Sequence, residues 1–420
     1  MFRESVEYVT PLDSTAAHAR TGRQQRHLQG LEQNTGSLPE NSTVGDDSAR
    51  LSDGTWRFLE QGLLQRFEAI AAFLQHFQTE RRLPGFLQGE SLQGLELHLQ
   101  QWAIPVALKH PDFLTWALFG ATDLALEADG TAVVMDQDFS HPAGLERLVH
   151  EHWDDTDDAV EFVRRELFAN WLPRGAGTGE VVVLDPGFSG ATFRGNDFLA
   201  RCLSAAMARS SDLKVDRNGV FLRVRGDWRP VRTLVRRVDD ELLDPNCFRP
   251  DSLVGVPGLV HSWAVGRVHV LNPPGSGMLR LRRLVRLIPR MIREYLGQEP
   301  LLETADALSC GDPAVLKKVL AAPEHFAIRP DDPRHAARPW FGGAGDVQES
   351  AQVLSRIQRA PDAWIARPLL VPSAGRRSLR VFATKNGQFR LLRAGLVRPC
   401  QEDGGASLLI GPDEPLATLW

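Results

Sequence analysis

The chain has 420 residues, 43% hydrophobic and 24% charged, with a formal net charge of -5; this is the make-up of a globular protein with room for two or three domains. The acidic balance argues against a general polyanion binder, so no nucleic-acid partner is expected, and no stretch approaches 18 uncharged apolar residues, which argues against membrane spanning. Cys202, Cys247, Cys310 and Cys400 lie far apart without CxxC spacing, as expected of reduced thiols in a cytoplasmic protein rather than a zinc site or disulfide framework.

Residues 1–50 are rich in Gln, Ser, Thr, Gly and Asn, the composition of a flexible leader. Behind the capping candidates Ser52 and Asp53, Trp56, Leu59, Leu63, Phe67, Ile70, Leu74 and Phe77 recur at three- and four-residue spacing, which predicts a long amphipathic helix. A hairpin is expected next, with strands near 122–127 and 131–135 about Asp129-Gly130. A helix over 157–171 follows, stopped by Pro173 and the glycines after it. In "GEVVVLDPGFSGATFRGNDFLARCL" the run Val181 to Leu184 reads as a buried strand, followed by a Gly-rich turn and a helix from near Asn196 or Asp197. The turn is either an anion-receiving loop or simply tight. "GVFLRVRG" and "VRTLVRRV" predict short strands, with Arg223 and Arg225 on an exposed face.

From 279 to 297 a stripe of Leu281, Leu284, Leu287, Ile288, Met291, Ile292 and Leu296 lies largely opposite Arg280, Arg283, Arg286, Arg290 and Arg293. Such a helix can touch a membrane surface or nucleic acid, but docking against the chain's own acids explains it better. "HFAIRP", "DAWIARPLLV" and "SLRVFATKNGQFRLLRAGLV" read as strands of a last sheet, with Asn386-Gly387 at a hairpin turn. No repeat suggests a solenoid.

Three groups of residues offer chemistry. Arg236, Arg237, Asp239, Asp240, Asp244, Arg249 and Asp251 crowd the end of a predicted strand. Arginines there can hold a carboxylate or phosphate and the acids an ammonium, or the whole set can be an ion-pair network that fixes the turn. Asp136 and Asp138, read as following a strand, are alternate acids able to approach one magnesium ion; ordinary loop acids are the alternative. "HEHWDDTDD", residues 150–158, fits a solvated helix entrance better than a transition-metal site. No GxSxG, HExxH or GxxxxGK[ST] pattern occurs.

"RRVDDELLDPNCFRPDSLVGVPGL", residues 236–259, closely resembles the characteristic stretch of the circularly permuted ATP-grasp family, whose members look like relatives of glutathionylspermidine synthase. The resemblance extends over residues 52 to about 400 through "WRFLEQGLLQRFEAIAAFL", "HPDFL", "VVMDQD", "VVVLDPG", "LNPPGSG" and "IPRMIREYLGQEPLL". It implies an α/β (α+β) fold, ATP-grasp-like and circularly permuted, with an associated preATP-grasp-like α/β domain. The expected layout is a leader over 1–50, a helical segment with the permuted part of the grasp domain over 51–175, a substrate domain over 176–270 and the remainder of the grasp domain over 271–420. It also implies an ATP-dependent carboxylate-amine ligase that activates a carboxylate as an acyl phosphate.

The departures fall at the expected site. An acid-acid-Asn motif is Met135, Asp136, Gln137; an Asp-Asp-Lys is Arg280, Leu281, Arg282; a phosphate-reaching Lys-Pro is Arg329-Pro330; and a loop glutamate is Gly195. An arginine fork does not reproduce a lysine's compact charge. Two functions are therefore expected: foremost a degenerate member that binds a peptide-like or amino-acid-like small molecule or a protein partner, and as the alternative a working ligase. The candidate residues are Arg237, Asp239 and Asp240 for catalysis, Arg329, Arg282, Asn272, Gly275 and Gly277 for cofactor binding, and Asp136 and Asp138 for metal. ATP and Mg2+ are the cofactors if the site is active, and none is required if it is not.

Overall fold

The apolar stripe that begins at Leu59 organises the first layer. The structure, a computed structural model, describes residues 51–80, 82–87, 118–127, 130–147, 156–169, 171, 179–187, 190–331, 340–341, 347–369 and 377–399. The expected leader, "HPDFL" and most of "HEHWDDTDD" lie outside them.

Helix α1 spans Asp53–Glu80, entered through Ser52, whose Oγ accepts a hydrogen bond from Thr55 N at 3.1 Å. Its stripe packs on a five-stranded sheet made of β1 (Leu118–Leu126), β2 (Ala132–Asp138), β9 (Glu303–Thr304), β14 (Arg377–Asn386) and β15 (Gln388–Pro399), in the order β15-β14-β1-β2-β9. Both expected hairpins form, and at each a glycine takes the left-handed conformation that such a turn demands: Gly130 at φ +89° and Gly387 at φ +70°. The strands of the first hairpin are longer than expected, so Asp136, Gln137 and Asp138 stand within β2 and not after it.

Helix α2 (Thr156–Val163) continues as a wider turn over Arg164–Phe168. The second sheet contains β3 (Glu180–Leu184), β4 (Ala206–Ala208), β5 (Leu213–Asp216), β6 (Gly219–Val224), β7 (Asp227–Arg236) and β8 (His269–Leu271). Its order is β4-β3-β7-β6-β5, with β8 paired to the second half of β7. Val181 to Leu184 are all buried because β3 lies between two parallel neighbours. Helix α3 (Gly190–Leu203) begins earlier than its capping candidates suggested. Asn196 lies inside it, fully buried, with Nδ2 bonded to Asp185 at 2.6 Å. Arg225 (φ +50°) and Gly226 (φ +96°) form the two-residue turn between β6 and β7, so Arg225 is a turn residue and not part of an exposed strand face.

The short helices α4 (Asp240–Leu243) and α5 (Leu259–Ala264) lead to α6 (Arg282–Met291), which contains Pro289. Leu284, Leu287, Ile288 and Met291 share a core with α1, and the helix docks on the chain's own acids, with Arg283 Nε 2.6 Å from Asp331 and Arg282 Nε 3.3 Å from Asp136; these two arginines are buried rather than at the surface. A third sheet, wholly antiparallel, has the order β10-β13-β11-β12, built from β10 (Leu308–Ser309), β11 (Phe326–Pro330), β12 (Trp340–Phe341) and β13 (Trp364–Pro368). Helices α7 (Pro313–Ala321) and α8 (Val347–Arg359) cover it, with Val319 and Ile357 against Ile328 and Ala366.

Candidate functional site

The site begins with one extra residue in β2. Pairing with β1 runs Asp123 to Asp136 and then Leu124 to Val134, which leaves Met135 as a bulge. A bulge shifts the side-chain alternation by one position. Ala132 and Val134 before it, and Gln137 and Phe139 after it, consequently face α1. Val133 and Met135 face the third sheet, where Met135 packs on Ala327, and beyond the bulge so does Asp136, which meets Arg329. Gln137 is thereby committed to the helix: its Oε1 accepts from Arg66 Nη2 at 2.8 Å and Nε at 3.2 Å, while its Nε2 donates to Thr122. Arg66 Nη1 also donates to Thr304 at 2.8 Å. Burial pulls Arg66 down to about 9.

Across the gap, β11 and β13 pair Ala327 with Arg367 and Arg329 with Ile365. Partners across an antiparallel pair, and residues two apart on a strand, share a face. Arg329 and Arg367 therefore project from the same face as Ala327, toward β2. Arg329 Nη2 donates to Asp136 Oδ2 at 2.7 Å. Arg282 at the head of α6 places Nε 3.3 Å from the same oxygen and donates Nη1 to Pro330 O. Asp136 Oδ1 accepts the amide of Gln137 at 3.0 Å. Burial alone would raise Asp136, but Arg282, Arg329 and Arg367 outweigh it and hold it below the ordinary carboxylate range. Burial lowers Arg329 well below an ordinary arginine, with Arg282 adding to the effect, and takes Arg367 to about 10. Arg329 Nη1, Arg367 Nη1 and Arg282 Nε are buried and make no hydrogen bond.

The neighbouring charges are better matched. Asp123 receives Arg380 through two parallel bonds of 2.6 and 2.7 Å, the bidentate geometry that makes such pairs strong. Burial disfavours the charge on Arg380, but Asp123 more than compensates and raises it. Asp138 turns its Oδ1 back to the amides of Ser140 at 2.8 Å and His141 at 3.3 Å. Beside the third sheet, a cavity of about 550 Å3 is lined by Val133, Pro289, Arg293, Thr304, Arg367 and Pro368 among others.

The charges at the end of β7 are arranged differently. Arg236, fully buried, donates to Asn272 O and Val238 O at 2.8 Å each and to Ser276 Oγ at 2.7 Å, and pairs with Asp240 at 2.8 Å. Asp240 also accepts the amides of Gly275 at 3.4 Å and Gly277 at 2.8 Å; a side chain at Gly277 would collide with this carboxylate. Asp244 accepts the amides of Asn246, Gly258 and Val260. Arg237 crosses to α3, where Nε donates to Asn196 at 2.7 Å. Asp239 is half-buried, 2.9 Å from His141 Nε2, while Arg249 and Asp251 pair at the surface.

Of the candidate cofactor residues, only Arg282 and Arg329 reach the gap. Asn272 instead ties β1 to β2, bonding Phe119 N and O, Phe139 O and Ser140 O, and the amides of Gly275 and Gly277 are spent on Asp240. The expected metal pair, Asp136 and Asp138, has other partners in this structure. Both oxygens of Asp136 are already engaged, Asp138 is folded onto backbone amides, and among the described residues no group of three His, Cys, Asp or Glu is placed to hold a metal ion. Among the described residues the donor set around Asp136 thus fits a protein-held magnesium ion poorly, because its carboxylate oxygens are engaged and the ion's charge would meet three guanidiniums. Sequence reasoning passed over Arg66, Asp123, Arg367 and Arg380. Arg367 had a signal: "AIRP" and "IARP" are two strand ends with the same Arg-Pro finish.

Two sheets that close over buried arginines, joined to a mixed sheet with parallel strands, make this a mixed α/β protein of ATP-grasp architecture. The chain belongs to the family described as Circularly permuted ATP-grasp type 2, which matches residues 50–399, and with it to the ATP-grasp-like ligase superfamily. Among its relatives, Uncharacterized protein sll0335 of Synechocystis sp. is 27% identical over 76% of this chain and 69% of that protein. A Putative glutamate--cysteine ligase 2-2 of Frankia casuarinae is 26% identical over 75% of this chain, but only 38% of that longer protein is covered. A crystal structure of a putative gamma-glutamylcysteine synthetase from Methylobacillus flagellatus KT aligns with 78% of this chain and 93% of its own, at 11% identity and a TM-score of 0.33. No helix among the described residues is long and apolar enough to cross a membrane.

Proposed function

We propose that this chain is an ATP-dependent ligase that joins a carboxylate to an amine through an acyl phosphate. The observation that carries the reading is the trio Arg282, Arg329 and Arg367, buried between two sheets with guanidinium hydrogens unspent. Family membership and the ligase name of the Frankia relative support it over the degenerate-member expectation. That name also favours an amino-acid-like or peptide-like substrate.

In this reading a carboxylate oxygen of the substrate attacks the γ-phosphorus of ATP and ADP departs. The amine then attacks the acyl phosphate carbon, and inorganic phosphate and a proton leave. Charge accumulates on phosphoryl oxygens in the first step, where preorganised guanidinium forks stabilise it without reorganisation. Arg237 is the candidate group for the substrate carboxylate. Asp239, held by His141, is the candidate for the amine. Asp240, both of whose oxygens are engaged, acts as a positioning residue for the loop at Gly275 and Gly277.

The test is hydroxylamine trapping. The purified chain, given ATP, Mg2+, hydroxylamine and a panel of amino acids and short peptides, is expected to release ADP and form a hydroxamate with some carboxylates, and Arg329→Ala to abolish both. Absence of carboxylate-dependent ADP release across the panel would sink the ligase reading. A second reading, ligand binding without chemistry, is favoured by Asp136 Oδ2, which faces two arginines. Nucleotide binding with no turnover would establish it.

A further inference from the structure

We propose that Arg282, Arg329 and Arg367 form a metal-independent site for a phosphate-type oxyanion, with the Asp136 carboxylate as its built-in competitor. This rests on the reading that ATP phosphates enter between the two sheets, and deepens it by naming what the pocket recognises and what replaces the metal.

The hydrogen bonds already made are too few for the donors present. Arg329 Nη2 and Arg282 Nε both approach one oxygen of Asp136, at 2.7 and 3.3 Å, and only the first has hydrogen-bonding geometry. The other oxygen belongs to the Gln137 amide. Arg367 spends Nε on the carbonyl of Asp306 at 3.2 Å. Arg329 Nη1, Arg367 Nη1 and Arg282 Nε are left as buried N–H groups without acceptors, a costly arrangement unless something else accepts them. A carboxylate has two oxygens in one plane, whereas a phosphate offers three in a tetrahedral spread and can serve several forks at once.

The charge balance points the same way. Among the described residues the four arginines Arg282, Arg329, Arg367 and Arg380 face three buried acids, Asp123, Asp136 and Asp138, so arginines outnumber carboxylates by one in this set. The Asp306 side chain, also within electrostatic reach of Arg367, is exposed and weakly coupled through water. Adding an anion improves this set and adding a divalent cation worsens it. Of the three arginines, Arg367 lines the 550 Å3 cavity, whose wall carries Arg293 as well as the acids Glu299, Glu303 and Asp306. Displacing Asp136 from Arg329 would free two forks for the incoming oxyanion.

The experiment is calorimetric titration of the full chain with inorganic pyrophosphate, ATP and adenosine, each in EDTA and again in Mg2+. Pyrophosphate is expected to bind in EDTA and Mg2+ not to strengthen it. Losing one charge-assisted bond costs about 1.5–3 kcal/mol, so Arg329→Ala and Arg367→Ala are each expected to weaken binding about tenfold or more. Asp136→Asn removes the competing anion and is expected to strengthen binding severalfold, whereas a metal-ligating carboxylate would lose binding on the same change. Arg367→Lys keeps the charge without the fork and serves if an alanine variant does not fold. Pyrophosphate binding that requires Mg2+, binding lost in a folded Asp136→Asn, or no binding to either protein overturns the proposal. Mg2+-dependent ligase turnover with no binding in EDTA would overturn it and leave the ligase reading standing. Pyrophosphate binding without ATP binding would do the reverse.

Discussion

Two clusters of buried charge lie in this molecule, and they are put to opposite uses. In the turn after β7, Arg236, Asp240 and Asp244 have their donors and acceptors met by backbone and side-chain partners from Ser276, Asn272, Gly277 and Val260. In the gap between β2 and β11, three arginines surround one carboxylate and keep unspent hydrogens. Both look alike as composition. The difference teaches that equal densities of buried charge can leave hydrogen-bond donors either met or unmet, and that only the partners, not the composition, tell the two apart.

That contrast is broken most directly at Arg236. Arg236→Met strands Asp240 in the interior, and breaking a buried pair costs about 3–5 kcal/mol; urea midpoints should show a loss of that size, with no specific rescue by phosphate. Asp123→Asn, which leaves Arg380 unpaired, is expected to cost about 3 kcal/mol in the same assay. Asp136→Asn is expected to cost about 2 kcal/mol or less, because its removal relieves competition as well as removing a partner. Millimolar phosphate should then recover thermal stability by mass action, which it should not do for Arg236→Met. The pH dependence sharpens the point. The folded-state pKa of Asp136 lies below its usual 3.8, so its stabilisation is present above that value and is lost as pH falls through the lower folded value. Acid titration of Asp136→Asn should lack that component.

Gln137→Glu tests the bulge. It places a carboxylate against Arg66 and not in the gap, so stability is expected to change by about 1 kcal/mol or less, with pyrophosphate affinity unaltered. The smallest effect is expected at Arg249, whose bonds to Asp251 lie at the surface. Arg249→Ala should shift stability by less than about 1 kcal/mol, by chemical denaturation.

Much of the fold was legible. The three- and four-residue spacing of Leu59, Leu63, Phe67 and Ile70 marks α1, Asn386-Gly387 marks the last hairpin, and the uninterrupted Val181 to Leu184 marks a strand buried on both faces. The site was legible only in part. Arg282 and Arg329 were named from their positions in the family pattern and Asp136 from its place at a strand end, whereas Gly275 and Gly277, expected to bind cofactor, turn their amides to Asp240, because a glycine-rich loop reads the same whether its amides meet a ligand or an internal carboxylate.

The amino-acid order by itself determined the main helices, the hairpin turns and the buried strand, though not their exact ends, because those depend on spacing and neighbours along the chain. Only the tertiary structure decided which charges are spent. One extra residue at Met135 shifts the alternation of β2, sends Gln137 to Arg66 and leaves Asp136 facing Arg329 across a distance of 193 residues in the chain. A local pattern does not contain that pairing, since it arises where two sheets close on each other.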